Sequence, residues 1–236
     1  LKDMIKISHA VGTDPRLIQG GGGNTSVKRD DDTMYIKASG TALGDMVEGA
    51  GYRQVDIECC VDIVRDDALA DLGDHERESI VLDRLVECCV DDLPGRPSVE
   101  TSLHAMLRRC VVHTHPSPIN GFLCAYQGEE AIESVLGDMD PPYLYIEFCG
   151  AGFPLARRMR DEMDAFKEEH GCLPEVILLG NHGLFVSHDD ADRAVEITDE
   201  VFQKLDEAGR RAIEDASFPE FPERAQAEVD ALVMRI

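Results

Sequence analysis

The sequence predicts an α/β protein organised as one layered domain, and three observations carry that reading. Strand-like and helix-like patterns interleave along the whole chain. Hydrophobic residues make up 43% of the 236 positions, enough to bury a sizeable core. No Ser/Pro-rich linker and no internal repeat divides the chain, so residues 1–236 are read as a single domain.

Residues 2–11 read as a short helix leading into Gly20-Gly21-Gly22-Gly23, a run that no regular element tolerates. Strand patterns are expected at 34–37 and around 55–57. Over 76–90, Ile80, Leu82, Leu85, Val86 and Cys89 recur close to the helical period. Pro94 and Pro97 break the chain before a second helix over 99–108, whose apolar stripe is Leu103, Met106 and Leu107. Residues 110–113 form a short buried strand, closed by Pro116 and Pro118. A strand at 143–148 and a helix at 154–170 follow. Residues 175–179 and 183–187 are two more strands, joined by a tight Asn181-His182-Gly183 turn. Asp189 or Asp190 caps a helix in which Ala191, Ala194, Val195, Thr198, Val201, Phe202 and Leu205 recur at helical spacing. The stretch 219–236 reads as one more helix.

Composition narrows the partners. With 47 acidic against 23 basic side chains, the formal net charge is -24. Phosphate backbones and anionic membranes both require a basic face, so neither nucleic acid nor a membrane is an expected partner. No apolar run approaches the roughly 18–20 residues of a membrane span, and nothing at the start reads as a signal peptide. The eight cysteines include the adjacent pairs Cys59-Cys60 and Cys88-Cys89 but no CxxC. Most stand among Val, Leu and Ile, which fits buried, reduced thiols in a cytoplasmic protein.

Four of the eight histidines, His9, His75, His170 and His188, lie in polar surroundings with no chemical pattern. His113-Thr114-His115 is different: residues two apart on a strand project to one face, so two imidazoles can converge on one metal ion. His182 follows the apolar strand 176–179 in a glycine-flanked turn, and is either a third ligand or a hydrogen-bonded turn histidine. Glu100 stands near a helix start, where the macrodipole favours a carboxylate, and is the fourth candidate. His104, one turn later, is a reserve ligand or a partner of one. Three neutral imidazoles and a carboxylate suit zinc or a similar divalent cation. A cupin-type site needs a glutamate three or four residues after the HxH, where Pro118 and Ile119 stand instead.

The glycine run is neither a GxGxxG, since Thr25 occupies the last glycine position, nor a Walker A loop, since no GK[ST] follows. What remains is a loop whose Asn24, Thr25 and Ser26 could cradle an anion or simply make a turn. Lys37-Ala38-Ser39-Gly40-Thr41 is a second polar loop of the same kind.

Five motifs occur here in a fixed order: Gly23-Asn24-Thr25-Ser26-Val27, Ile36-Lys37-Ala38-Ser39-Gly40, Pro97-Ser98-Val99-Glu100, Val112-His113-Thr114-His115-Pro116 and Asn181-His182-Gly183. Over roughly residues 1–210 the chain resembles the class II aldolase/adducin domains. That group includes fuculose-phosphate and rhamnulose-phosphate aldolases and ribulose-phosphate 4-epimerases. The two small-residue loops resemble most the aldolase domain of bifunctional rhamnulose-phosphate aldolase/dehydrogenases. The resemblance implies a three-layer α/β/α fold around a mainly antiparallel sheet, in a homotetramer with sites between subunits. It implies metal ligation by His113, His115 and His182, with Glu100 as an acid/base that also touches the metal. Asn24, Thr25, Ser39, Gly40 and Ser98 match the phosphate cradle. Val99 replaces a common second serine, and Lys37 replaces a common threonine, restoring a donor with positive charge. Tyr145 is the match for an aromatic proton donor from a neighbouring subunit. The implied activity is zinc-type cleavage of a phosphorylated ketose through an enediolate. A sugar-phosphate 4-epimerase or a keto-acid-phosphate decarboxylase shares the same motifs. An adducin-like assembly module shares the fold without the ligands.

Overall fold

A computed structural model describes residues 1–215 of the chain. In chain order the strands are β1 (Asn24–Lys28), β2 (Thr33–Lys37), β3 (Tyr52–Asp56), β4 (Cys110–Thr114), β5 (Leu144–Ile146), β6 (Val176–Leu179) and β7 (Gly183–His188). The helices are α1 (Lys2–Gly12), α2 (Ile57–Arg65), α3 (Asp67–Ala70), α4 (Asp74–Glu87), α5 (Thr101–Ala105), α6 (Ser117–Leu123), α7 (Gly128–Leu136), α8 (Phe153–His170) and α9 (Ala191–Asp215). The strands form one sheet in the order β3-β2-β1-β4-β7-β6-β5. Every neighbouring pair is antiparallel except β5 with β6.

Helices cover both faces, giving the three layers expected. On one face α1, α6, α7 and α9 pack on Val27, Cys110, Val112, Val176, Leu178, Leu184 and Val186. On the other, α2, α4, α5 and α8 pack on Val111, Ile177, Leu179, Phe185, Met34, Ile36 and Val55. Neighbouring residues of one strand therefore serve different cores, the period-2 alternation of a pleated ribbon. It also explains why β4 and β6 read as unbroken apolar runs: both of their faces are covered.

Several boundaries differ from the sequence expectation, each for a local reason. Asp56 ends β3 and accepts a hydrogen bond from the Cys59 amide at 2.7 Å. Ile57 therefore opens a helix instead of closing a strand. The helix expected over 99–108 is only one turn long, with Glu100 at its N-cap position. Pro118 lies in the first turn of α6, where a missing N–H is harmless, so it starts a helix as well as ending the strand. Asp190 is the cap of α9: its carboxylate accepts from the Arg193 amide at 3.0 Å. The helix expected over 219–236 lies outside the described residues.

The cysteines depart from an all-reduced set. Cys59 and Cys88 form a disulfide that ties the first turn of α2 to the end of α4. Cys60 and Cys110 are buried free thiols, whereas Cys124 and Cys149 are exposed. Just beyond the disulfide, Asp56 N–H donates to the Cys88 carbonyl at 2.9 Å and Val90 N–H to Gln54 at 2.9 Å. The segment 88–90 thus lines the open edge of β3. Farther along, the buried Arg53 guanidinium pairs with Asp91 at 2.8 Å. The Ser39 amide donates to the Arg96 carbonyl at 2.8 Å, and the Ser98 amide to Lys37 at 3.0 Å. This strap delivers Ser98 and Glu100 to the sheet.

Candidate metal centre

Three histidines meet where β4 ends and β7 begins. Thr114 is registered opposite Leu184, so the chain leaving β4 runs beside the chain entering β7. The ligand-capable nitrogens of His113, His115 and His182 all lie within 4.8 Å of one another. The Nε2 atoms of His113 and His115 are 2.8 Å apart.

His113 Nδ1 lies 2.9 Å from the Leu184 carbonyl. A carbonyl only accepts, so Nδ1 carries the proton and Nε2 presents its lone pair to the cluster. Phe185 stacks on the same ring, centroids 4.0 Å apart and planes 17° apart, which fixes its tilt. Burial pushes the His113 pKa down to about 3, against the opposing pull of Glu100. Burial and the neighbouring His182 also lower His115. Both rings are therefore neutral at ordinary pH, the form in which imidazole ligates a metal.

Glu100 faces this cluster from the strap. Its Oε1 is 3.1 Å from His182 Nε2 and its Oε2 is 3.5 Å from His113 Nε2. Burial alone would raise the carboxyl pKa, but His113, His182 and Asn24 outweigh it and hold the group below the ordinary carboxylate range. The ionised Glu100 carboxylate stands beside His113 and His182, at the edge of the three-histidine group. That donor set fits a divalent cation of the zinc kind.

Close packing around the cluster depends on glycines. A Cβ on Gly22 would stand 3.2 Å from His115 Nδ1. A Cβ on Gly23, whose φ is +66°, would stand 2.6 Å from the His113 carbonyl oxygen. On Gly183 it would meet the Thr114 oxygen at 2.5 Å and His115 Cδ2 at 2.7 Å. The glycine run therefore lies directly against the imidazoles.

The expected anion-binding residues separate into two groups. Lys37 is buried, its Nζ donating to the Gly21 carbonyl at 3.0 Å. Its ammonium thus sits on the glycine run that packs against His115, and burial lowers its pKa against the pull of Glu100. Ser98 lies beside it, while Ser39 and Gly40 are exposed at the rim, Gly40 at φ +83°. Thr25 does not join them. It alternates with Asn24 on β1, and its Oγ1 lies 2.7 Å from Ser8 Oγ, in the core beneath α1. The Asn24 side chain faces the site, but both its N–H groups are engaged, with Ser98 Oγ at 3.1 Å and Glu100 Oε2 at 2.6 Å. His104 is not a ligand: its two nitrogens meet Ser26 Oγ, at 2.8 Å, and Asn24 Oδ1. Val99 is half exposed.

Tyr145 lies on β5 with its hydroxyl close to Gly180, two residues before His182. Together with Cys124, Glu129, Glu147 and Asn181 it lines a separate surface cavity of about 560 Å³. Within one chain it belongs to that cavity. Sequence reasoning did not identify the Leu184 carbonyl, Phe185 or the Asn24–His104 contact. A backbone acceptor leaves no residue signature, but the alternation of residues 24–28 could have indicated which of them share a face with His113.

A mainly antiparallel sheet between two helical layers, with three histidines and a glutamate at its rim, defines the class II aldolase type of protein. The chain belongs to the Class II Aldolase and Adducin N-terminal domain family, which it matches over residues 2–204. It is 26% identical over 216 residues to the Bacillus subtilis (strain 168) protein called Uncharacterized oxidoreductase YuxG, covering 88% of this chain and 29% of that one. The chain thus spans less than a third of that relative's length. Its fold is shared with the N-terminal class II aldolase domain of a conserved Thermoplasma acidophilum protein (TM-score 0.70, 24% identity, 89% of this chain and 92% of that one). It is also shared with an L-fuculose 1-phosphate aldolase (TM-score 0.58, 19% identity, 100% of this chain and 95% of that one). Among the described residues, no helix is long and apolar enough to cross a membrane.

Proposed function

We propose that the chain is a zinc-type lyase that cleaves a phosphorylated ketose by a retro-aldol reaction, acting as a cytoplasmic homotetramer. The observation that supports this most directly is the convergence of three imidazole nitrogens within 4.8 Å on the side of the Glu100 carboxylate, 3.1 Å from His182. His113, His115 and His182, with Glu100, would hold the cation. Bound there, it would supply Lewis-acid stabilisation of the negative charge that carbon–carbon cleavage places on the ketose oxygen.

The remaining work falls to the protein's own groups. Glu100, kept ionised, takes up the hydroxyl proton at the carbon that becomes an aldehyde and returns a proton to the carbon left electron-rich. Tyr145 assists as a proton donor toward the site of a neighbouring copy. The Lys37 ammonium, the Ser98 and Ser39 hydroxyls and the Gly40 backbone hold the phosphate and so fix which bond faces Glu100. Lys37 also supplies local positive charge in a chain whose net charge of -24 repels phosphorylated substrates at long range.

The test is a coupled assay for released dihydroxyacetone phosphate across a panel of ketose 1-phosphates with zinc-loaded protein. Cleavage of at least one member, abolished by Glu100→Gln, is expected. Absence of cleavage throughout, with metal bound, would overturn the lyase reading in favour of the epimerase, the decarboxylase or an unphosphorylated substrate.

A further inference from the structure

Glu100 is the pivot of the proposed site, yet nothing in its own one-turn helix fixes its side chain. Its two oxygens differ in surroundings. Oε1 faces His182 at 3.1 Å, while Oε2 receives a hydrogen bond from Asn24 Nδ2 at 2.6 Å. The Asn24 amide therefore anchors one end of the carboxylate, with His182 at the other.

That amide can face only one way. Turned over, it would present its oxygen to an ionised carboxylate. In the observed sense its oxygen meets His104 Nε2, so that nitrogen must carry the proton. The other ring nitrogen, Nδ1, then accepts from the Ser26 hydroxyl at 2.8 Å. His104 itself is fully buried and edge-on to Phe185, with centroids 5.3 Å apart. The same Phe185 ring stacks on His113. Register places these groups together: Asn24 is opposite His113 in the β1–β4 pairing, so Asn24, Ser26 and His113 share the sheet face that α5 covers.

We infer that His104 and Asn24 act as a positioning pair, a relay of hydrogen bonds running Ser26–His104–Asn24–Glu100 that aims the carboxylate at the three histidines. Both N–H groups of Asn24 have partners within the protein, Ser98 Oγ and Glu100 Oε2. The metal half of this inference rests on the reading of the centre given above; the hydrogen-bond order does not.

The experiment uses Co²⁺ and inorganic phosphate as separate probes, with the full chain and its variants. His104→Leu removes the donor to Asn24 and is expected to weaken Co²⁺ affinity about 10–100-fold, the usual effect of losing a group that orients a metal ligand. Phosphate affinity should stay within about twofold. His104→Gln, whose amide nitrogen can replace Nε2, should recover most of the loss. Asn24→Ala should lose Co²⁺ affinity to the same extent as His104→Leu, and the double variant should bind Co²⁺ no worse than either single one. Unchanged Co²⁺ affinity in Asn24→Ala, or lost phosphate affinity with Co²⁺ affinity intact in His104→Leu, would overturn the assignment. Should His104→Leu fail to fold, the wild-type chain still decides: ¹⁵N NMR must show His104 protonated at Nε2 and unprotonated at Nδ1, and the opposite tautomer would refute the relay. Wild-type protein that binds no Co²⁺ but shows that tautomer would sink the metal reading and leave the relay standing.

Discussion

The glycine loop offers a graded perturbation of the metal centre by one methyl group at three successive positions. Gly21→Ala adds a Cβ with nothing within 4 Å, at a residue without positive φ. It should stabilise the fold by about 0.4–1 kcal/mol, because the unfolded chain loses freedom and the folded one loses nothing. Gly22→Ala adds its methyl 3.2 Å from His115 Nδ1 and 3.2 Å from the Gln19 carbonyl, so the imidazole must yield by a few tenths of an ångström. The fold should be nearly indifferent, but a ligand displaced on that scale should weaken Zn²⁺ binding by about tenfold, roughly 1.4 kcal/mol. Gly23→Ala meets the His113 carbonyl oxygen at 2.6 Å in a residue at φ +66°. Left-handed strain of about 1 kcal/mol and overpacking of about 1–3 kcal/mol add to a destabilisation near 2–4 kcal/mol. Urea denaturation of metal-free protein reads the stabilities, and competition against a zinc chelator reads the affinities. Equal zinc affinity for the Gly21 and Gly22 variants would refute the close approach of this loop to His115, as would a Gly23 variant as stable as the Gly21 one.

Other outcomes follow from contacts elsewhere. Arg53→Met leaves the part-buried Asp91 carboxylate with only the Gln54 and Leu93 amides as partners and should reduce stability by about 1.5–3 kcal/mol, measured by denaturation. Reducing the Cys59–Cys88 bond, which closes 29 residues of sequence, should destabilise the chain by roughly 3 kcal/mol, read as a lower denaturation midpoint in dithiothreitol. Lys28 donates to the Ala105 and Leu107 carbonyls, and burial lowers its pKa to about 8 from an ordinary 10.5. Between those values the unfolded chain binds the extra proton, so stability relative to Lys28→Met should rise as pH climbs from about 8 to 10.5, by at most about 3 kcal/mol. A pH-independent difference between the two proteins would refute that assignment.

Much of this was legible in residue order. The β4, β6 and β7 strands announced themselves as apolar runs, and the spacing of His113 and His115 placed both rings on one side. What remained hidden was set by partners distant in sequence. Residues 24–28 looked like a loop because a glycine run precedes them and four of the five are polar, yet they form an interior strand. Once they are a strand, alternation alone sends Asn24 toward His113 and Thr25 toward Ser8. The single-turn helix after Glu100 was overread because Leu103, Met106 and Leu107 keep helical spacing after the helix has ended. Lys28 stands at the far end of β1 from Asn24, bound to the carbonyls below α5.

The pairing of β4 with β7 joins His113 to Phe185 across more than seventy residues of chain, with three helices and two strands folded in between. Contacts of that separation form late, since the loop entropy must be overcome before they yield anything. In the fold the three imidazoles come together only where the chain leaving β4 runs beside the chain entering β7. A cation that needs all three binds the finished sheet more tightly than the unfolded chain, and by mass action it deepens the native basin by up to about 2.7 kcal/mol when its free concentration is 100 times its dissociation constant. The group that serves the chemistry would then also act as the last fastener of the fold.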